Sequence, residues 1–154
     1  FVFCKSRLNM KYLVCLDGRD EAKNALGFVM ERLATKDDTI HVASVAERYS
    51  YPVLDDGLDG SYIEHVDKLN KAMEESAIKS LSETQQTIKE KGFTTGGLLC
   101  YGNISEGILE AAKQFEVDMI VMGHRDLGTV QSLISPSVAT SVVHDSDRPV
   151  MIVR

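Results

Sequence analysis

The chain has 154 residues, 44% of them hydrophobic and 26% charged, which is enough apolar material for one domain with its own core. Its formal net charge of -6 and pI of about 5.2 argue against nonspecific attraction to nucleic acid or to an anionic membrane, and no Lys/Arg cluster reverses that balance. Cys4, Cys15 and Cys100 are too scattered for a disulfide framework or a zinc site, no apolar run is long enough to span a membrane, and FVFC is too short for a secretory core, so a cytoplasmic protein without a metal site is expected.

Residues 1–9 show no period and read as an N-terminal extension or a cloning remnant ahead of Met10-Lys11, with the domain occupying 10–154. Tyr12 to Leu16, YLVCL, is short and continuously apolar, as in a parallel strand covered on both faces. After Asp17-Gly18-Arg19-Asp20, the residues Ala22, Ala25, Leu26, Val29, Met30 and Leu33 recur at helical spacing and predict an amphipathic helix lying on the sheet. Thr39 to Val45 reads as a second strand. Tyr62 to Lys91 carries Ile63, Val66, Met73, Ala77, Leu81, Thr84 and Ile88 on one helical face, and Gly92 stops it. A third strand lies within Phe93 to Tyr101, and Ile104, Ile108, Ala112 and Phe115 mark a third helix. Met119 to Met122 is the fourth strand. A fourth helix runs from Pro136 to about His144, and Pro149 opens a last strand, VMIVR. Cys15 and Cys100 fall inside apolar runs and are expected as reduced core residues.

Five strands alternating with four helices predict an α/β sheet with right-handed crossovers. The ligand crevice of such a sheet lies at the carboxyl ends of its strands, where the winding reverses. The stretch Asp118 to Ser137 runs from strand through a polar loop to a helix start, and the unpaired N–H groups and dipole of a helix N-terminus favour an anion. Ser135 is placed to cap that helix, and Pro136 suits its first position.

Other patterns carry less. His124-Arg125-Asp126-Leu127 spells the opening of a protein-kinase catalytic loop, but Gln131 stands at the metal-binding Asn position and the remaining kinase motifs are missing, so it is coincidence. A calcium loop begun at Asp55 fails at Gly57 and at Val66, where Glu is required. Ala46 to Ser61 is a long loop whose Tyr49, Tyr51 and Pro52 are candidates for a lid, beside the simpler reading of a surface loop. His41 is expected as a packed strand residue and His65 on the long helix. His144 falls near a helix C-terminus, where positive charge is favourable; only His124 adjoins the loop after strand four. No nucleophile is paired with a base, so catalysis is not indicated.

YLVCLDG at the first strand, GNISEGILEAA after the third, VDMIVMGHRD at the fourth and SVATSVVHDSDRPVMIVR at the end together resemble the universal stress protein family, over Lys11 to Arg154. The resemblance implies a single doubly wound five-stranded parallel sheet of order 3-2-1-4-5 with helices on both faces. It also implies a stress-response adenine-nucleotide sensor without enzymatic activity, or at most a slow ATPase. In that family Asp17 would contact ribose or adenine, and the backbone around Val42 the adenine edge. The family's phosphate pattern G-x2-G-x9-G-(S/T) falls on Gly123, Asp126, Pro136 and Ser137, with His124 beside it. Gly123 and Ser137 match. Asp126 brings a carboxylate to a site for a polyanion, and Pro136 lacks an N–H, so weak binding of ATP or AMP is expected. The alternative is a dimeric interaction or chaperone-like module that does not bind ATP. A homodimer is expected through the last strand, whose apolar edge calls for a partner.

Overall fold

The computed structural model describes residues 9–16, 20–46, 49, 60–123 and 136–154. Strands β1 (Lys11–Leu16), β2 (Thr39–Ala46), β3 (Gly97–Tyr101), β4 (Met119–Gly123) and β5 (Val150–Val153) form one parallel sheet in the order β3-β2-β1-β4-β5. Helices α1 (Asp20–Phe28), α2 (Gly60–Glu90), α3 (Ile104–Gln114) and α4 (Pro136–Asp145) occupy the crossovers.

Side chains alternate across a strand, so each apolar run supplies two cores at once. Tyr12, Val14 and Leu16 of β1, with Ile40 and Val42 of β2 and Val121 of β4, meet Ala22, Ala25 and Leu26 of α1 and Leu81 and Ile88 of α2. The intervening Leu13, Cys15, Ala43, Val45, Ile120 and Met122 meet Ile104, Ile108, Ala111 and Ala112 of α3 and Val142 of α4. Helices therefore cover both faces, α1 and α2 on one and α3 and α4 on the other. Cys15 and Cys100 are buried and unbridged within the second core.

Most element limits follow the sequence pattern. Gly92 ends α2 as expected, at φ +81, with its N–H given to Lys89 O at 2.8 Å and that of Phe93 to Ile88 O at 3.2 Å. α2 begins two residues before Tyr62, and β5 begins one residue after Pro149. The first helix differs more: Val29–Leu33 widens into a π turn, closed by Ala34 N–H to Val29 O at 2.8 Å. Apolar spacing carries no sign of that turn.

The amino end of the sheet is held by side chains bonded to backbone. The Asp38 carboxylate, 1% exposed, accepts from Met10 N–H and Thr35 N–H, both at 2.7 Å, and from Thr35 Oγ1 at 3.0 Å. Asp118 accepts from Lys11 N–H at 2.8 Å, and Arg148 Nη1 donates to Val117 O at 2.6 Å.

Candidate functional site

Between β1 and its two neighbours the winding changes direction: the chain leaves β1 for β2 on one side, and β4 lies on the other. The strand ends at this reversal are fixed by register. Leu16 pairs with Ser44, so β2 continues two residues past β1, to Val45 and Ala46. Val14 pairs with Val121, which sets Gly123 level with Leu16, and Gly123 pairs onward with Val153. Leu16, Ser44, Ala46 and Gly123 thus rim the carboxyl edge on the α1/α2 face. This rim is mostly apolar, with the buried Ser44 the only hydroxyl among these four residues. α4 starts beyond β4 with Pro136, so one N–H is absent from its first turn.

Among the sequence-predicted site residues, Gly123 stands at the rim and Ser137 is exposed in the first turn of α4. Asp17, His124 and Asp126 lie outside the described residues, as do the loop candidates Tyr51 and Pro52. Val42 sits lower than the rim. It is level with Val14, is fully buried, and gives its N–H to Gly96 O at 2.9 Å. A group lying on the carboxyl edge therefore meets Ser44 to Ala46 before it meets Val42.

The start of α3 is a second helix N-terminus at this edge, and it is already satisfied. Asn103 Oδ1 accepts from Ser105 N–H at 3.0 Å, Glu106 N–H at 3.2 Å and Ser105 Oγ at 2.7 Å. The spacing of Asn103 and Glu106, a cap residue followed three positions later by an acid, carries that signal in the sequence.

His41 and His144 are remote from the rim. His41 stacks on Phe115 with ring centroids 4.1 Å apart and planes 9° apart, which bears out its expected packing. Its Nδ1 is buried without a hydrogen-bond partner among the described residues. Burial, and then the Lys11 charge, hold its pKa below the ordinary histidine value, against a raising influence of the Gly96 carbonyl. His144, exposed in the last turn of α4, is raised by its 2.7 Å contact with Asp145. Burial, and then Glu110, push the Cys100 thiol up, so it is not an activated nucleophile. Among the described residues there is no group of three His, Cys, Asp or Glu side chains placed to hold a metal ion, and no helix long and apolar enough to cross a membrane.

Comparison with known proteins agrees with this architecture. A universal stress protein of Thermus aquaticus is 30% identical over 148 residues, covering 92% of this chain and 96% of its own. Universal stress protein UspA from Lactobacillus plantarum superposes with a TM-score of 0.73 at 20% identity, over 94% of this chain and 97% of its own. The Arabidopsis thaliana family protein At3g01520, solved with AMP bound, gives a TM-score of 0.61 at 18% identity, over 94% of this chain and 90% of its own. The universal stress protein family model matches residues 9–154, which span the whole sheet and all four crossover helices, and the chain belongs to that family.

Proposed function

We propose that the carboxyl edge between β1 and β4 binds an adenine nucleotide and that the protein acts as a nonenzymatic stress-response sensor of it. The observation that carries this reading is the level meeting of Leu16 and Gly123 at the winding reversal, with the end of β2 projecting beside them. An apolar rim suits a base and ribose, and the start of α4 offers the phosphate its dipole. The AMP-bound relative supports the ligand class. By sequence, Asp17 follows the rim of β1 and is assigned to the ribose or adenine, with Gly123, His124 and Ser137 on the phosphate side. The carboxylate of Asp126 and the missing N–H of Pro136 weaken the contacts that outer phosphates need, so the monophosphate is favoured over ATP in this reading.

A second reading rests on a different observation. β5 is an edge strand with all four residues partly exposed, and pairing with a second copy would cover it. Under that reading the protein is a dimeric interaction module, with or without nucleotide.

Denaturing the purified protein and identifying any released nucleotide by mass spectrometry is the first test, followed by calorimetric titration with AMP and with Mg-ATP. Bound or titratable AMP is the expected result. Failure of both nucleotides to bind at millimolar concentration would overturn the sensor reading and leave the interaction module.

A further inference from the structure

α2 is longer than the sheet it covers, and its excess lies at the ligand edge. Ile88 packs near the amino end of β2, where Phe93 N–H bonds to Ile88 O and Thr94 bridges to Thr39. Glu74, fourteen residues earlier, is about 21 Å up the helix at 1.5 Å per residue. The same height along β2 from Thr39, at about 3.3 Å per residue, reaches Ala46. Ala46 pairs with Tyr101, and the Tyr101 hydroxyl donates to Glu74 Oε1 at 2.6 Å, so the two measures agree. Asn70, one turn beyond Glu74 on the same face, therefore stands about 6 Å past the strand ends. Val66, a further turn on, is 4% exposed, so this face of the helix remains turned toward the protein.

Asn70 spends its whole amide on one residue. Its Oδ1 accepts from Tyr49 N–H at 2.9 Å, and its Nδ2 donates to Tyr49 O at 3.1 Å. Tyr49 follows the end of β2 by three residues. The paired bonds fix its backbone against α2 while the residue stays 58% exposed. A side chain held by both backbone groups yet left open is prepared for contact with something else.

The layout of the crevice says what that contact is. With phosphate on the β4 side, by Gly123 and the start of α4, the rest of a mononucleotide runs across β1 toward β2. Two strand spacings separate β4 from β2, about 10 Å, which an extended mononucleotide spans. Its base then falls beyond the end of β2, the end that Tyr49 follows by three residues.

We propose that Tyr49 is the stacking platform for the base of the nucleotide and that Asn70 is its positioning residue. This rests on the nucleotide reading above and adds to it the group that distinguishes a nucleotide from a bare sugar phosphate. Stacking requires a ring and not its hydroxyl, so Tyr49→Phe retains AMP affinity, whereas Tyr49→Ala lowers it by about fivefold to a hundredfold. Ribose 5-phosphate, which has no base, binds wild type and Tyr49→Ala alike. Asn70→Ala weakens AMP less than Tyr49→Ala does, and has no further effect in the Tyr49→Ala background.

The test is calorimetric titration of AMP and ribose 5-phosphate into wild type, Tyr49→Ala, Tyr49→Phe, Asn70→Ala and the double variant, each checked for an unchanged thermal melt. Because the chain contains no Trp, Tyr49→Trp adds a single reporter whose fluorescence AMP quenches and ribose 5-phosphate does not. Equal AMP affinity for wild type and Tyr49→Ala would overturn the stacking role while leaving the crevice intact. Equal losses for AMP and ribose 5-phosphate would overturn it as well, by showing that Tyr49 only supports the fold. A wild type that binds neither compound would overturn both this assignment and the sensor reading.

Discussion

Gly107 gives a test of how tightly α3 sits on the sheet. A Cβ added there would stand 2.9 Å from Cys100 Cβ and 3.1 Å from Val45 Cγ2, on β3 and β2 respectively. Neither neighbour is the end of a flexible chain: one is tied to the strand backbone, and the other belongs to a β-branched residue stiff at χ1. Gly107→Ala therefore overpacks, at the upper part of a range of about 1–3 kcal/mol. Against this, Ala is about 1 kcal/mol more favourable than Gly inside a helix. The net expectation is a loss of about 1 kcal/mol or somewhat more, and each 1 kcal/mol lowers the melting temperature of a domain of this size by about 2–4 °C. Urea unfolding with an unchanged m-value measures it directly. On a Val45→Ala background, which removes the crowded methyl, the cost should shrink by about 1 kcal/mol in a double-mutant cycle. Stabilisation by Gly107→Ala, or the same cost in both backgrounds, would show that helix propensity decides at this site and that α3 is not seated through its glycine.

Three further outcomes follow from particular residues. Asp126→Gly with Pro136→Gly restores the two glycines of the phosphate pattern. Recovering a donor is worth about 1–3 kcal/mol and removing the repulsion about 1 kcal/mol, so Mg-ATP affinity should rise roughly tenfold to a thousandfold by calorimetry, with little change for AMP; no gain for Mg-ATP would mean the loop does not face the outer phosphates. In β5, the bond from Ile120 N–H to Pro149 O turns the N–H groups of Val150 and Ile152 away from β4, so Ile152→Pro should yield monomer in sedimentation at micromolar concentration; wild type already monomeric there would rule out pairing through this edge. His41 is held below its ordinary pKa when folded, so the unfolded chain takes up that proton first. Stability is then greatest above about pH 6.5, falls as pH drops from there toward the lowered folded value, and levels off below it. His41→Phe should keep the ring stack on Phe115 and lose less stability than wild type between pH 7 and pH 5; parallel curves for the two proteins would remove His41 as the cause.

The fold was legible because its signals are local and repeated. Runs such as YLVCL and DMIVMG show no alternation, which a strand covered on both faces requires, and each is followed by a helical period or its start. Gly92 could be read as a helix stop because its place after the apolar stripe of α2 calls for positive φ. The π turn at Val29 left no trace, since one extra residue in a helical turn barely alters the spacing of Val29, Met30 and Leu33. The site was legible only in part. Gly123 could be placed at a strand end, but the height of Val42, level with Val14 and below the rim, could not be read, because register depends on the partner strand. The Asn70 clamp on Tyr49 joins a loop to a helix twenty-one residues away and has no motif. A polar residue on a long solvated helix offers nothing in the sequence to mark it.

The two ends of the sheet differ in how their polar groups are engaged, and on the proposed function this separates stability from binding. At the amino end the Asp38 and Asp118 carboxylates accept the Met10 and Lys11 N–H groups, and Arg148 donates to the Val117 carbonyl; these bonds fix the starts of the strands within the chain itself. Asp38 is almost wholly buried, so losing its acceptor would strand donors in a low-dielectric environment, where an unmet group costs more than the bond contributes. At the carboxyl end the strands stop at different heights, β2 passing β1 by two residues. Substitutions at Asp38 or Asp118 should therefore act on folding, and changes at Gly123, Ser137 or Tyr49 on ligand affinity at nearly constant stability. On the proposed function, that division would let Asp126 and Pro136 stand where the family pattern has glycines without cost to the sheet.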